Sequence, residues 1–170
     1  MKLVPMSPCG FDRMYTEMEK SFPTDEIRPR ENAKEILNKK EYCVYELVLH
    51  GTTVGYLTVW KLNGIYFAEH FVVCEEFRNC GYGGKGLAEA QKLLGTIVLE
   101  AEPPHTDIAA RRLNFYKRNG FYINEFPYFQ PSYREGGNEV ELKILSYPRK
   151  LDNCESAVKQ IYKTVYGKEI

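Results

Sequence analysis

The spacing of apolar residues changes period several times along this chain, and each change marks an element. Residues 42–49 and 53–60 are rich in β-branched and aromatic side chains and read as consecutive strands joined at His50-Gly51. Asn63-Gly64 is a strong hairpin turn signal, and it leads into a third run, residues 65–74. In that run strict alternation puts Phe67, Phe71 and Val73 on one face and Ala68, Val72 and Cys74 on the other. Both faces are apolar, which predicts a central strand covered on each side. Only Glu69 and His70 interrupt it, and alternation points them to opposite faces.

On either side of this block the period is helical. A short strand at 2–6 precedes helices over 12–21 and 30–39, with Pro23 and Pro29 punctuating their connection. After the third strand comes a glycine-rich loop, a helix over 84–94, a short strand over 96–101 and a helix over 107–119. Strand, loop, helix and strand form a right-handed crossover, so 96–101 should lie parallel to 65–74. The runs 121–129 and 140–145, separated by Gly136-Gly137, predict a final hairpin. Val158, Ile161, Tyr162 and Val165 stand at helical spacing and predict a carboxy-terminal helix over about 154–166. The class is mixed α/β. With no repeat or long linker to divide the chain, residues 1–170 read as a single domain.

Charge narrows the function. Lys+Arg and Asp+Glu both number 23. A protein that holds nucleic acid by bulk charge would be basic, so that class is disfavoured. No apolar run approaches the ~20 residues of a membrane span, and Met1–Gly10 lacks the apolar stretch of a signal peptide, so a cytoplasmic protein is expected. The five cysteines form no C-x-x-C pair, the three histidines suggest no metal site, and no G-x-S-x-G supports a serine hydrolase.

The candidate chemistry sits in the loop FRNCGYGGKG, residues 77–86. Gly81 to Gly86 literally satisfies G-x-G-x-x-G, the dinucleotide fingerprint, but Glu75 and Glu76 intervene after the strand and three antiparallel strands precede it. A P-loop fails because Asn79 stands where the first glycine belongs and Gly86 follows Lys85. A plain turn would need one or two glycines, not four in six residues. Arg78-x-x-Gly81-x-Gly83 instead resembles the pyrophosphate loop of the GNAT superfamily of acyl-CoA N-acyltransferases. The ending Tyr116-Lys117-Arg118-Asn119-Gly120-Phe121 resembles the Y-x-x-x-G-F that closes that superfamily's second cofactor helix. The phrases EHF at 69–71, LEAEPP at 99–104, RRLNFY at 111–116 and YFQPSY at 128–133 are similar to those of a bacterial branch. One departure is Ala109, where many members carry Asn.

The resemblance implies the GNAT fold, a bent mixed sheet of about six or seven strands with helices on both faces. It also implies acetyl-CoA as co-substrate, inserted where strands 65–74 and 96–101 splay apart, and direct transfer to an amine in a ternary complex. Backbone groups of Phe71, Val72 and Val73 would pair with the pantetheine arm, and the Val73 amide would polarise the thioester carbonyl. Arg78, Asn79, Cys80, Gly81, Tyr82, Gly83 and Gly84 would hold the pyrophosphate, with Asn114 a further cofactor contact. Tyr116 would protonate the leaving thiolate and a glutamate would accept the amine proton.

The residues themselves bear on those roles. Stepping 100° per residue along 107–119 places Ile108, Ala109, Leu113 and Phe115 on an inward arc, with Arg112 and Tyr116 stacked inside it. An inward guanidinium needs an anion, so a structural ion pair to a nearby carboxylate is the plain alternative, as a core tyrosine is for Tyr116. Glu69 lies mid-strand between apolar faces, and burial should raise its pKa toward neutrality and make it a better base. Glu100 and Glu102, on one face of the adjacent strand, are its rivals. The aromatic-rich segment 121–133 and the connection 21–29 are expected to wall the acceptor pocket, but aromatic walls suit polyamines, peptides and aryl-amines alike, so the acceptor is unspecified. Monomer and homodimer are both open, and a non-catalytic acyl-CoA-binding module is the alternative to an enzyme.

Overall fold

A computed structural model describes residues 1–169. Seven strands form one sheet: β1 (Lys2–Pro5), β2 (Tyr42–Leu49), β3 (Thr52–Lys61), β4 (Tyr66–Val73), β5 (Ile97–Ala101), β6 (Tyr122–Gln130) and β7 (Val140–Tyr147), in the order β1-β2-β3-β4-β5-β7-β6. All neighbours are antiparallel except β4 and β5, so the crossover expected from the sequence is present. On one face lie α1 (Phe11–Ser21), α2 (Arg30–Glu35) and α5 (Cys154–Ile161), whose buried Met14, Ala33 and Val158 join Trp60, Phe67 and Ile144 in one core. On the other lie α3 (Tyr82–Leu94) and α4 (Asp107–Arg118), packing Leu87, Ala90 and Leu113 on Leu57, Leu99 and Leu145. The sheet is mixed, seven-stranded and covered on both faces, as the resemblance implies.

Helix starts are chemically marked. Thr106 caps α4 by accepting the Ala109 N–H at 3.1 Å, and Asn153 caps α5 by accepting the Ser156 N–H at 2.9 Å. Helix α3 begins at Tyr82, two residues before the expected start, because Gly81 takes φ 74° and turns the chain directly into the helix. Past α5 the chain coils on through Tyr162–Tyr166, where wider π-type hydrogen bonding carries it to Gly167.

The alternation expected along β4 fails at one place. Thr58 pairs with His70 and Val59 with Ala68, which leaves Glu69 as the extra residue of a β-bulge. The extra residue swaps the faces on one side of it. Phe67 therefore packs with Val72 and Cys74 on the α1–α5 face, and Ala68 with Phe71 on the α3–α4 face, correcting the grouping drawn from strict alternation. The His70 N–H is rescued by the Thr58 hydroxyl at 3.0 Å.

The bulge coincides with the end of β4–β5 pairing. These strands are joined only through Tyr66↔Ile97, Phe67↔Val98 and Ala68↔Leu99. Beyond Ala68 they separate. The β3 side of β4 is held closely at Gly55, where an added Cβ would lie 2.3 Å from the Val72 carbonyl oxygen. Gly55→Ala should therefore destabilise the fold by about 1–3 kcal/mol. Gly86→Ala, whose new Cβ meets the flexible end of Leu47 at 2.4 Å, should cost less. Urea denaturation of the two variants measures the difference, and an unshifted Gly55→Ala midpoint would contradict the tight approach.

Candidate active site

Two cavities of opposite charge meet where β4 parts from β5. The larger is a groove of about 570 Å³ between the open edge of β4, the loop 77–81, the start of α3 and the α4 residues Arg111, Arg112, Phe115 and Tyr116. Lys20, Arg78, Arg111 and Arg112 line it, and no carboxylate does among the described residues. The smaller, about 50 Å³, is a slot through the sheet at the separation itself, lined by Glu26, Glu69, Glu100 and Glu102 with Arg112 as its one lysine or arginine. Phe22, Phe71, Arg112 and Tyr116 border both.

The groove suits an extended polyanion carrying amide groups. Asn79 and Gly81 both take positive φ, 62° and 74°, and turn the backbone around the head of α3. The N–H groups of Tyr82, Gly83 and Gly84 belong to the first turn, have no helical acceptor, and open on the groove with the positive end of the helix dipole. Gly83 could carry a Cβ only 3.2 Å from the Phe115 ring. Gly86 serves a different purpose, letting α3 approach Leu47 and Phe71.

Along β4, the Cys74 N–H donates to Val54 on β3, and the Val73 carbonyl accepts from Arg78 Nε at 3.2 Å. The polar groups of Val73, and by alternation those of Phe71, therefore face away from β3 toward the parted edge. They offer a ladder edge to a bound amide chain. Arg78 is spent on local structure, since its other contact is the Ser21 hydroxyl at 2.8 Å. Cys80 and Asn114, expected to touch the cofactor, are exposed and do not line the groove.

In the slot the expectation for Glu69 is reversed. Its side chain is 1% exposed, and burial alone would raise its pKa, but Arg28 Nη2 sits 2.9 Å from Oε1 and His70 and Trp60 add to the pull, so the carboxyl is held below its ordinary value. The Tyr133 hydroxyl donates to the same oxygen at 3.0 Å, and the Arg28 guanidinium lies over the Tyr133 and Trp60 rings. His70, expected on the opposite face, lies on the same one because the bulge intervenes. Its Nδ1 is 3.9 Å from Glu69 Oε2 and its Nε2 meets the Glu26 carbonyl at 2.9 Å. Burial pulls its pKa down further than Glu69 lifts it, which favours the neutral ring.

Glu100 is the contrasting case. It has no cation beside it, and burial pushes its pKa up to about 8 against the hydroxyls of Tyr128 and Tyr166, which donate to its oxygens. Glu102 is bound by Arg112 at 2.7 Å, both side chains about one-third exposed, so the plain ion-pair reading of Arg112 is the one observed. Ile108, expected inward, is 68% exposed. Tyr116 does point inward, is 8% exposed, and has its pKa pushed up to about 12 by burial against the opposing influence of Arg112.

A sequence model described as an acetyltransferase (GNAT) domain matches residues 38–123, half of the chain. The chain belongs to the GNAT acetyltransferase family. A GNAT-family protein of Bacteroides thetaiotaomicron superposes with a TM-score of 0.94 at 28% identity, over 99% of this chain and 100% of that one. YjbC of Bacillus subtilis (strain 168), named as a candidate acetyltransferase, is 27% identical over 161 residues, 89% of this chain and 80% of its own. An aminoglycoside 6′-N-acetyltransferase complexed with coenzyme A shares the fold alone, with a TM-score of 0.59 at 16% identity over 89% and 100% of the two chains. The GNAT resemblance read from the glycine loop is therefore confirmed for family and fold.

Arg28, Gln130 and Tyr133 lie in the two segments expected to wall the acceptor pocket but were not singled out there, and Tyr166 was missed. Arg28 stands between Ile27 and Pro29 with no periodic signal, while Tyr166 extends the apolar stripe of the last helix by four residues from Tyr162 and was there to be found.

Glu100 makes stability depend on pH with a definite sign. Its folded value of about 8 lies above the ordinary 4.5, so between these the folded state holds more protons than the unfolded one. Its contribution is favourable below that window and is lost as pH rises through it. Glu100→Gln should gain in Tm relative to the parent between pH 5 and pH 8.5, as thermal melts followed by circular dichroism will read. A difference in Tm that stays constant with pH would put the Glu100 carboxyl back in the ordinary range.

Proposed function

We propose that the protein is an acetyl-CoA-dependent N-acetyltransferase that passes the acetyl group directly to an amine while both are bound. The observation that carries this reading is the meeting of a cationic groove and an acidic slot at Tyr116. Acetyl-CoA supplies the acetyl group as a thioester. The first-turn N–H groups of α3 and Arg111, which has no ion-pair partner among the described residues, hold the phosphates, and the free edge at Phe71 and Val73 pairs with the amide-bearing arm. A groove of this volume is within the ordinary range for a ligand of that size.

The slot handles the amine. An alkylammonium must lose a proton before it can attack, and a base works best when its pKa is near the working pH. Glu100 fits that condition, whereas Arg28 keeps Glu69 ionised and a weak acceptor. Glu69 then holds the ammonium by charge and Glu100 takes its proton. Tyr116, still protonated at neutral pH, donates its hydroxyl proton to the departing sulfur.

Release of free thiol from acetyl-CoA in the presence of an amine panel tests the activity. Bound acetyl-CoA with no amine-dependent thiol release would leave a binding module instead. Given a working amine, Tyr116→Phe should keep the packing and lower kcat by roughly 10²–10⁴-fold with little effect on acetyl-CoA affinity. The wild-type rate should rise with pH toward about 8 and flatten above it as Glu100 ionises. Equal kcat in the Phe variant would return Tyr116 to a core role.

Cofactor binding has its own check. Both Asn and Asp tolerate the left-handed backbone that Gly81 adopts, so Gly81→Asn and Gly81→Asp differ chiefly in charge. Isothermal titration with acetyl-CoA should find clearly weaker binding for the Asp variant than for the Asn variant. Matched affinities would move the phosphates away from this loop.

A further inference from the structure

Resting on that reading, the shape and charge of the slot narrow the acceptor. We propose that it is a slender aliphatic diamine, a primary ammonium on an unbranched chain that carries a second positive charge.

Width is the first constraint. At ~10–15 Å³ for each water-sized occupant, about 50 Å³ admits only some three to five heavy atoms. An aminopropyl end fits. The rest of a diamine and its second ammonium then lie outside the slot, toward half-buried Glu26, whereas a phenyl ring or a branched carbon carries its bulk directly beside the nitrogen and cannot be left outside in that way.

Charge is the second. Four glutamates line the slot, but only Glu69 and Glu102 have guanidinium partners, Arg28 and Arg112. Glu26 and Glu100 have no ion-pair partner among the described residues. Burial raises both carboxyls, and the neighbouring glutamates raise them further: Glu102 acts on Glu26, and Glu69 and Glu26 act on Glu100. Arg112 offsets part of this at Glu26 and no cation does so at Glu100 among the described residues, so a cation brought beside either carboxyl, Glu100 within the sheet or Glu26 on the segment between α1 and α2, would favour its ionised form. A monoamine relieves one of them and a diamine both.

Unpartnered polar atoms supply independent support. Gln130 is 4% exposed, lines the slot, and its Nε2 has no hydrogen-bond partner. A terminal amide can turn over to present its oxygen to an N–H, so this buried group is available to an entering ammonium. Glu69 Oε2 is likewise buried without a hydrogen bond, and the Phe22 and His70 rings, packed edge to face on each other, form part of the slot's apolar wall. Leaving such groups unpaired is costly, which is what a bound cation would remedy.

Calorimetric binding to the full chain without acetyl-CoA separates this inference from the acetyl-transfer reading. The probes are 1,5-diaminopentane, pentylamine, aniline, alanine amide and N-acetyl-lysine methylamide, which has the unbranched amine but no second charge. The diamine should bind about tenfold or more tighter than pentylamine and the lysine analogue, and aniline and alanine amide should not bind detectably. Glu26→Gln should bring the diamine's affinity down to that of pentylamine measured in the same variant, a loss of the diamine's advantage that general damage to the fold would not give. Diamine binding without acetylation would support the acceptor site and overturn acetyl transfer. Acetylation of aniline or alanine amide, or equal affinity for diamine and pentylamine, would overturn the diamine assignment while leaving acetyl transfer standing.

Discussion

The separation of β4 from β5 after Ala68 is the constraint on which the rest depends. A continuous parallel pair would satisfy its own backbone groups and bury both faces, leaving nothing to bind. Because β4 bulges at Glu69 and leaves β5, Phe71 and Val73 keep polar backbone groups on a free edge, and the sheet acquires an opening between its two cores. Side chains that would otherwise stay on separate faces come to share a border. Tyr116 belongs to the α3–α4 core and Glu100 points toward Tyr128 and Tyr166 on the other face, yet both line the one slot. An acid and a base on opposite sides of a sheet can act on one reaction only through such an opening.

Within the slot, two glutamates with similar burial have opposite ionisation. Arg28 offsets the desolvation of Glu69, and nothing comparable reaches Glu100. Tyrosine hydroxyls donate to both, so hydrogen bonding is not what divides them. The difference is one guanidinium. Its placement assigns a fixed charge to β4 and a titratable carboxyl to β5, a division of roles that neither residue type nor strand position encodes.

The fold was legible from short-range pattern because most of its elements obey one period and carry local turn or cap chemistry. Asn63-Gly64, Gly81 and Thr106 each mark a boundary that the structure keeps within two residues. What failed depended on a single inserted residue or on partners distant in sequence. Alternation was sound except at Glu69, where one bulge residue moved His70 onto the same side as Glu69 and exchanged Phe67 with Ala68. The carboxylate cluster was visible as residues, but its electrostatics were inverted, because Arg28 lies 41 positions from Glu69 and no spacing rule connects them. Helical stepping placed Ala109, Leu113 and Tyr116 correctly and Ile108 wrongly: Ile108 stands at the edge of the arc and is exposed while its neighbour Ala109 is buried.

The site also divides along the chain in a way that bears on how such a fold changes its substrate. The glycine loop, the free edge of β4, Glu69, Glu100 and Tyr116 all fall within residues 38–123, the stretch common to the family. Glu26, Arg28, Gln130, Tyr133 and Tyr166 fall outside it, on the segment after α1, on the end of β6 and beyond, and on the last turn of the chain. They are nonetheless bound together. Arg28 Nη2 donates to the Val165 carbonyl at 2.7 Å, and the Tyr133 hydroxyl reaches that of Tyr166 at 3.4 Å. The flanks thus join one another beside the slot and, through Arg28, Tyr133 and Tyr166, contact the two carboxylates that line it. Groove and slot are shaped by different parts of the sequence, so under the proposed reaction the flanks can be altered to suit another acceptor while the glycine loop and Tyr116 stay as they are.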